Sequence, residues 1–130
     1  MEVRLGRTSR DGVAPSMFVW VERGVERRPE VAREMRGRVV FRFAEEISPL
    51  SVSFDRDAID VFDGDLRSPD LAVAGRLPDI VHLATAPTLL GIPNPASRHG
   101  LAAILQVYRG RVSLDGDRAI ARGLIRLLAL

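Results

Sequence analysis

Near its end the chain carries the segment GRVSLDGD at residues 110–117, followed by RAIARGLIRLLAL at residues 118–130. Apolar and polar residues alternate over residues 111–114, which is typical of a half-buried strand. The pair Asp115–Gly116 favours a turn, and Asp117 is a residue type that often caps helices. The sequence therefore predicts a strand, a turn and a closing helix within a single small, soluble α+β domain.

The closing segment also has the spacing of an amphipathic helix. Four apolar residues share one face, namely Ile120, Leu124, Leu127 and Leu128. Three arginines recur every four residues on the opposite face, namely Arg118, Arg122 and Arg126. We expect the apolar side to cover a sheet, and the arginines to be available for a carboxylate head group or a membrane surface.

The centre of the chain alternates with a period of two, which predicts strands. The inward apolar positions of three strands are Val39, Phe41 and Phe43; Leu50, Val52 and Phe54; and Ile59 and Val61. The short links at residues 44–49 and 55–57 favour antiparallel hairpins. A fourth strand is expected at residues 71–75. Together with the strand at residues 111–114, these segments predict a five-stranded, mostly antiparallel sheet.

Helical spacing predicts the elements that cover this sheet. The first helix begins near Val13, with Ser16 or Asp11 as its cap. Further helices are expected at residues 30–36, 79–86 and 97–108. We therefore expect about five helices on one face of the sheet. Residues 1–12 show no apolar period and are predicted to form a loose N-terminal arm, before a domain of residues 13–130.

Composition limits the class of protein. The chain has 130 residues, of which 46% are hydrophobic and 28% charged, as in an ordinary globular domain. It has no cysteine, which excludes disulfides and thiolate chemistry. All 19 basic residues are arginine, which is typical of a GC-rich genome. The first residues lack the apolar core of a secretory signal, so we expect a cytoplasmic protein.

The sequence offers few residues for catalysis. The histidines are His82 and His99, and neither belongs to a metal-binding or nucleophile motif. The acidic segment at residues 55–65 lacks the spacing of a calcium loop. Basic residues are not interleaved with aromatic ones, so nucleic acid is not an expected partner. An enzyme that uses either histidine is the least favoured interpretation, and we expect no catalytic residue, metal or cofactor.

The chain has more apolar sequence than its strands and helices require. The apolar sheet face is joined by an uncharged segment at residues 80–97. These residues could simply fill an ordinary core. Alternatively, the helices could stand away from the sheet and leave an apolar tunnel for a small molecule.

Three segments resemble the sterol carrier protein type 2 family. They are GRVVFRF at residues 37–43, RSPDLAVAG at residues 67–75 and YRGRVSLDGDRA at residues 108–119. The resemblance covers residues 13–130. It implies a five-stranded sheet covered by helices around a hydrophobic tunnel, which binds fatty acids, acyl chains or sterols without catalysis.

The resemblance suggests which residues line such a tunnel. They are Phe41, Phe43, Val52, Phe54, Leu83, Leu105, Tyr108, Leu124 and Leu128. The expected partner is a lipid-like small molecule, with transient contact to an anionic membrane surface and a homodimer as further expectations. The alternative interpretation is a protein-interaction or dimerisation module with a filled core and no ligand.

Overall fold

The computed structural model describes residues 1–84, 88–89, 92–93 and 112–129. The strands are β1 Glu2–Leu5, β2 Gly37–Phe43, β3 Leu50–Phe54, β4 Ala58–Asp63, β5 Leu71–Gly75, β6 Thr88–Leu89, β7 Ile92–Pro93 and β8 Val112–Gly116. The helices are α1 Ala14–Arg27, α2 Pro29–Glu34, α3 Leu77–Ala84 and α4 Arg118–Leu128. One sheet has the strand order β1-β4-β3-β2-β5-β8, and β6 pairs with β7 separately.

The main sheet differs from the predicted one, because it has six strands and is mixed. β1 pairs in parallel with β4, and β2 pairs in parallel with β5. Residues 1–12 were predicted to form a loose arm, and this prediction is wrong for Glu2–Leu5, which form the strand β1. This edge strand is ordered by its ladder with β4 and by Val3, which packs against the core. The described residues hold four helices, and the helix predicted at residues 97–108 lies outside them.

The apolar core lies between one face of the sheet and the helices. At its centre Phe41 of β2 lies beside Leu50 of β3 and Val73 of β5 in the strand register. All four helices contribute buried apolar residues to the same cluster as this sheet face. The prediction that helices cover one face is therefore confirmed for the described elements.

The other sheet face is partly covered by the connection at residues 64–70. This connection must cross the sheet, because it leads from β4 to β5, which lies on the far side of β2. Arg42 of β2 holds it through an ion pair with Asp65, with 3.1 Å between Nη2 and Oδ1. Val40 and Ser51, which point to this face, are 0% exposed.

The first helix starts at a carboxylate from the sheet. Asp63, the last residue of β4, is 1% exposed. Its Oδ1 accepts a hydrogen bond from the Ala14 backbone N–H (3.2 Å), and its Oδ2 accepts one from the Ser9 N–H (2.8 Å). The predicted caps Ser16 and Asp11 are wrong, since α1 has no cap from a nearby side chain. A residue 49 positions away satisfies the first N–H of the helix instead.

The strand and the closing helix predicted near the end of the chain are confirmed, and the turn predicted between them is corrected. Asp117 caps α4, because its Oδ1 accepts hydrogen bonds from Ala119 N–H (2.8 Å) and Ile120 N–H (3.2 Å). Asp115 and Gly116 form no separate turn; they are the last residues of β8 and pair with β5. The chain therefore passes from strand to helix through the capping residue alone.

Substituting Asp63 by alanine should lower the free energy of unfolding by about 1–3 kcal/mol, because one buried and one part-buried N–H donor lose their acceptor. Urea denaturation followed by circular dichroism measures this change. Asp60→Ala is the matched control on the same strand. Asp60 is paired with the exposed Arg4, so its removal should cost much less. Equal losses for the two variants would contradict the anchoring role of Asp63.

Candidate functional site

A narrow apolar cleft lies between α3, α4 and the sheet. Its sheet wall is formed by apolar residues of β2, β5 and β8, and its helix walls by apolar residues of α3 and α4. The lining residues are Phe41, Leu71, Val73, Ile80, Leu83, Ala84, Leu114, Ala121, Leu124, Ile125 and Leu128. The cleft has a volume of about 20 Å³, which is room for about one water molecule. We call it the α3–α4 cleft.

A wider apolar cleft lies on the other side of α3, between α3 and α1. It has a volume of about 200 Å³. Its lining residues are Val13, Ser16, Met17, Trp20, Phe41, Phe43, Leu50, Leu77, Ile80, Val81 and Ala84. The Ser16 hydroxyl and the Trp20 indole N–H are the strong hydrogen-bonding side-chain groups in this set, so the α1–α3 cleft can interact with a ligand almost entirely by removing apolar surface from water.

The two apolar clefts share three residues, namely Phe41, Ile80 and Ala84. Phe41 is on the central strand, and the other two are on one face of α3, four residues apart. These side chains therefore form a partition between the clefts. The predicted continuous tunnel is not found in the described residues, where α3 divides the apolar space in two.

The predicted lining residues fall into three groups. Phe41, Phe43, Leu83, Leu124 and Leu128 border one or both apolar clefts. Val52 and Phe54 are buried in β3 but border neither cleft. Leu105 and Tyr108 lie outside the described residues.

Sequence reasoning missed the partition and the α1 wall. Ile80 and Ala84 were predicted to be helical but were not assigned to the site. The available signal was the position of Ile80, which lies three residues before Leu83 and four before Ala84, since residues three and four apart share a helix face. Met17 and Trp20 lie in the predicted first helix but are not among the predicted lining residues. The cleft that they border depends on the separation of α1 from α3, which sequence spacing does not give.

A third cleft, between α2 and α4, has a different chemistry. Its volume is about 480 Å³ and it is bordered by charged side chains. Three are cationic, namely Arg36, Arg122 and Arg126, and two are acidic, namely Glu34 and Asp117. The apolar residues Val31, Met35 and Ile120 also line it, and all three are buried. The α2–α4 cleft thus combines a charged rim with an apolar floor.

Ser16 is the one hydroxyl side chain among the described residues that line the apolar clefts. His82 lies on α3 and lines neither cleft, and His99 lies outside the described residues. Among described side chains, no cluster of metal-ligating residues occurs. The hydrogen bond with Asp60 raises the pKa of the Arg4 guanidinium, at a site on the opposite face of the sheet. Within this part of the chain, no helix has the length and hydropathy to cross a bilayer.

Comparison with known proteins gives structural relatives but no sequence relatives. No family model matches the sequence, and no curated protein matches it. The solved structure of a UbiJ-SCP2 ubiquinone synthesis protein superimposes with a TM-score of 0.61 at 14% identity, over 89% of each chain. Sterol carrier protein domain 2 of Helicoverpa armigera gives a TM-score of 0.58 at 18% identity, over 89% of this chain and 84% of that one.

A yeast structure agrees with these two. Sterol carrier protein 2 of Yarrowia lipolytica, in its apo form, gives a TM-score of 0.57 at 12% identity, over 92% of this chain and 94% of that one. The chain has the sterol carrier protein 2 (SCP2) fold. The resemblance inferred from sequence is therefore confirmed at the level of the fold. At these identities the comparison with SCP2 structures shows the architecture and not the ligand.

If the α3–α4 cleft is unfilled apolar space in the SCP2 fold, two leucines of α4 should respond differently to truncation. Leu127 is 0% exposed and packs against α1, so Leu127→Ala should lower the free energy of unfolding by about 3–5 kcal/mol. Leu124 borders the cleft and has fewer contacts to lose, so Leu124→Ala should cost about 2–3 kcal/mol. Urea denaturation of both variants compares them directly, and a larger loss for Leu124→Ala would indicate a filled core at this position.

Proposed function

We propose that this chain binds a hydrophobic ligand, such as a fatty acid, an acyl chain or a sterol-like molecule, and that it does so without catalysis. The observation that carries the proposal is the pair of apolar clefts on either side of α3, which share Phe41, Ile80 and Ala84. Such clefts offer burial of apolar surface and almost no polar group for chemistry. The SCP2 fold supports the proposal, since the names of two superimposed structures describe sterol carriers.

The volumes set a condition on binding. Pockets for small molecules usually measure about 300–1,000 Å³. The α1–α3 cleft has about 200 Å³ and the α3–α4 cleft about 20 Å³. Neither would enclose a long acyl chain by itself. We therefore propose that the ligand enters the α1–α3 cleft and displaces the partition, so that its chain continues towards α4.

Trp20 provides a test of where the ligand enters. It is the single tryptophan of the chain and it borders the α1–α3 cleft. Adding a saturated fatty acid should shift its fluorescence to shorter wavelength, because the acyl chain replaces water beside the ring. Trp20→Phe should abolish the signal while displacement of a dansyl-labelled fatty acid persists. Binding by displacement with no change in Trp20 emission would place the ligand elsewhere.

Three alanines on helices provide a matched series for the partition. Ala84 borders both apolar clefts, Ala121 borders the α3–α4 cleft, and Ala119 is exposed and borders neither. Ala84→Leu should weaken binding of a dansyl-labelled fatty acid about tenfold, since excluding about 55 Å² of apolar contact has that effect. Ala121→Leu should weaken it less, and Ala119→Leu should bind normally. Equal affinities in all three variants would contradict the shared site.

Ligand carried through purification tests the proposed function as a whole. Protein purified under native conditions should release a lipid on organic extraction, identified by mass spectrometry. If no lipid is extracted and no fluorescent fatty acid is displaced, the proposal is wrong. In that case a stable dimer in multi-angle light scattering would favour the alternative of a dimerisation module.

A further inference from the structure

The charged side chains of α4 are unlike those of the other described helices. Between its first and last residues α4 carries Arg118, Arg122 and Arg126, and no acidic residue. The spacing of four places the three guanidinium groups along one side of the helix. The opposite side is buried in the core through Leu124 and Leu128. The result is a purely cationic outer face on a helix whose inner face borders the α3–α4 cleft.

The neighbouring helices are mixed in charge. In α1, Glu22 and Glu26 alternate with Arg23 and Arg27, so the acidic and basic charges cancel. The short helix α2 likewise combines two glutamates with one arginine. A solvated helix face ordinarily has this mixed pattern. The outer face of α4 therefore has a net positive charge that its neighbours lack.

Contacts among the described residues do not account for this cationic face. Arg122 and Arg126 are exposed, and neither forms an ion pair or hydrogen bond with the described residues. Arg118 lies in the first turn, where the helix dipole disfavours a cation. In the adjacent Asp117, Oδ1 accepts both capping hydrogen bonds. Helix stability alone would favour an acidic residue at position 118.

The α2–α4 cleft extends the cationic face. Arg122 and Arg126 border it together with Arg36, whose Nη1 donates to the backbone carbonyls of Arg33 and Met35 (2.7 and 2.6 Å). With two acidic residues also on the rim, the charged side chains of the cleft sum to one positive charge. Clustered cationic side chains at a protein surface are attracted to the negative potential of an anionic bilayer.

We propose that the outer face of α4, with the adjoining α2–α4 cleft, docks onto the surface of an anionic phospholipid bilayer. Arg118, Arg122 and Arg126 face the phosphate groups of the lipids. Because the other side of α4 borders the α3–α4 cleft, docking brings the apolar space of the protein next to the membrane. This last step rests on the proposed function, whereas docking itself does not require a bound ligand.

Vesicle flotation of the full chain tests the proposal. The protein should float with phosphatidylcholine vesicles that contain phosphatidylglycerol, and not with phosphatidylcholine alone. R122Q/R126Q should weaken this binding about 30-fold, the effect expected for two basic residues at an anionic surface. R23Q/R27Q is the matched control. It removes the same charge, from exposed arginines four residues apart on α1, and should bind within about twofold of the unmodified protein.

Two outcomes would overturn the proposal. One is equal loss of binding in the two double variants, which would indicate attraction by total charge and not by α4. The other is tighter binding to duplex DNA than to vesicles at the same phosphate concentration, lost in R122Q/R126Q. Displacement of dansyl-labelled fatty acid without vesicles separates the two proposals. R122Q/R126Q should bind this probe normally, so a failure of docking and a failure of ligand binding are measured independently.

Discussion

The structure depends on how one buried carboxylate is compensated. A carboxylate removed from water is costly unless hydrogen bonds replace its hydration. Asp63, at the end of β4, obtains them from the backbone N–H groups of Ser9 and Ala14. Gly12 allows this approach, because a Cβ there would overlap the carboxylate. One side chain thereby fixes the path of the amino-terminal segment and the starting point of α1.

The position of α1 determines both apolar clefts. α1 provides one wall of the α1–α3 cleft directly. It also sets the place of α4, since Gly24 of α1 lies so close to Leu127 that a Cβ would overlap the Leu127 carbonyl oxygen. The remaining face of α4 then borders α3. The space on each side of α3 is thus a consequence of two close contacts made by α1, while the lining residues determine that this space is apolar.

The local elements could be predicted from sequence, because each has its own periodic signal. β2, β3 and β4 alternate with a period of two, and Asp117 is a capping residue directly before an amphipathic segment. The parallel pairing of β2 with β5 could not be predicted in this way. This pairing depends on residues 64–70, which cross the sheet face opposite the helices, where Arg42 binds Asp65. Likewise, Ile80 was recognisable as a helix position, but its place between two clefts is set by packing distances between helices.

The amino-terminal strand has a consequence for folding. β3 and β4 are joined by a short hairpin, whereas the Arg4–Asp60 contact closes a separation of 56 positions. Local pairs form before distant ones, so β1 should join the sheet late. Until it does, β4 is an open edge that could pair with another molecule. Because residues 2–5 precede β4 in the chain, they are already synthesised when this edge forms, and the protein thus carries its own protection against aggregation during folding.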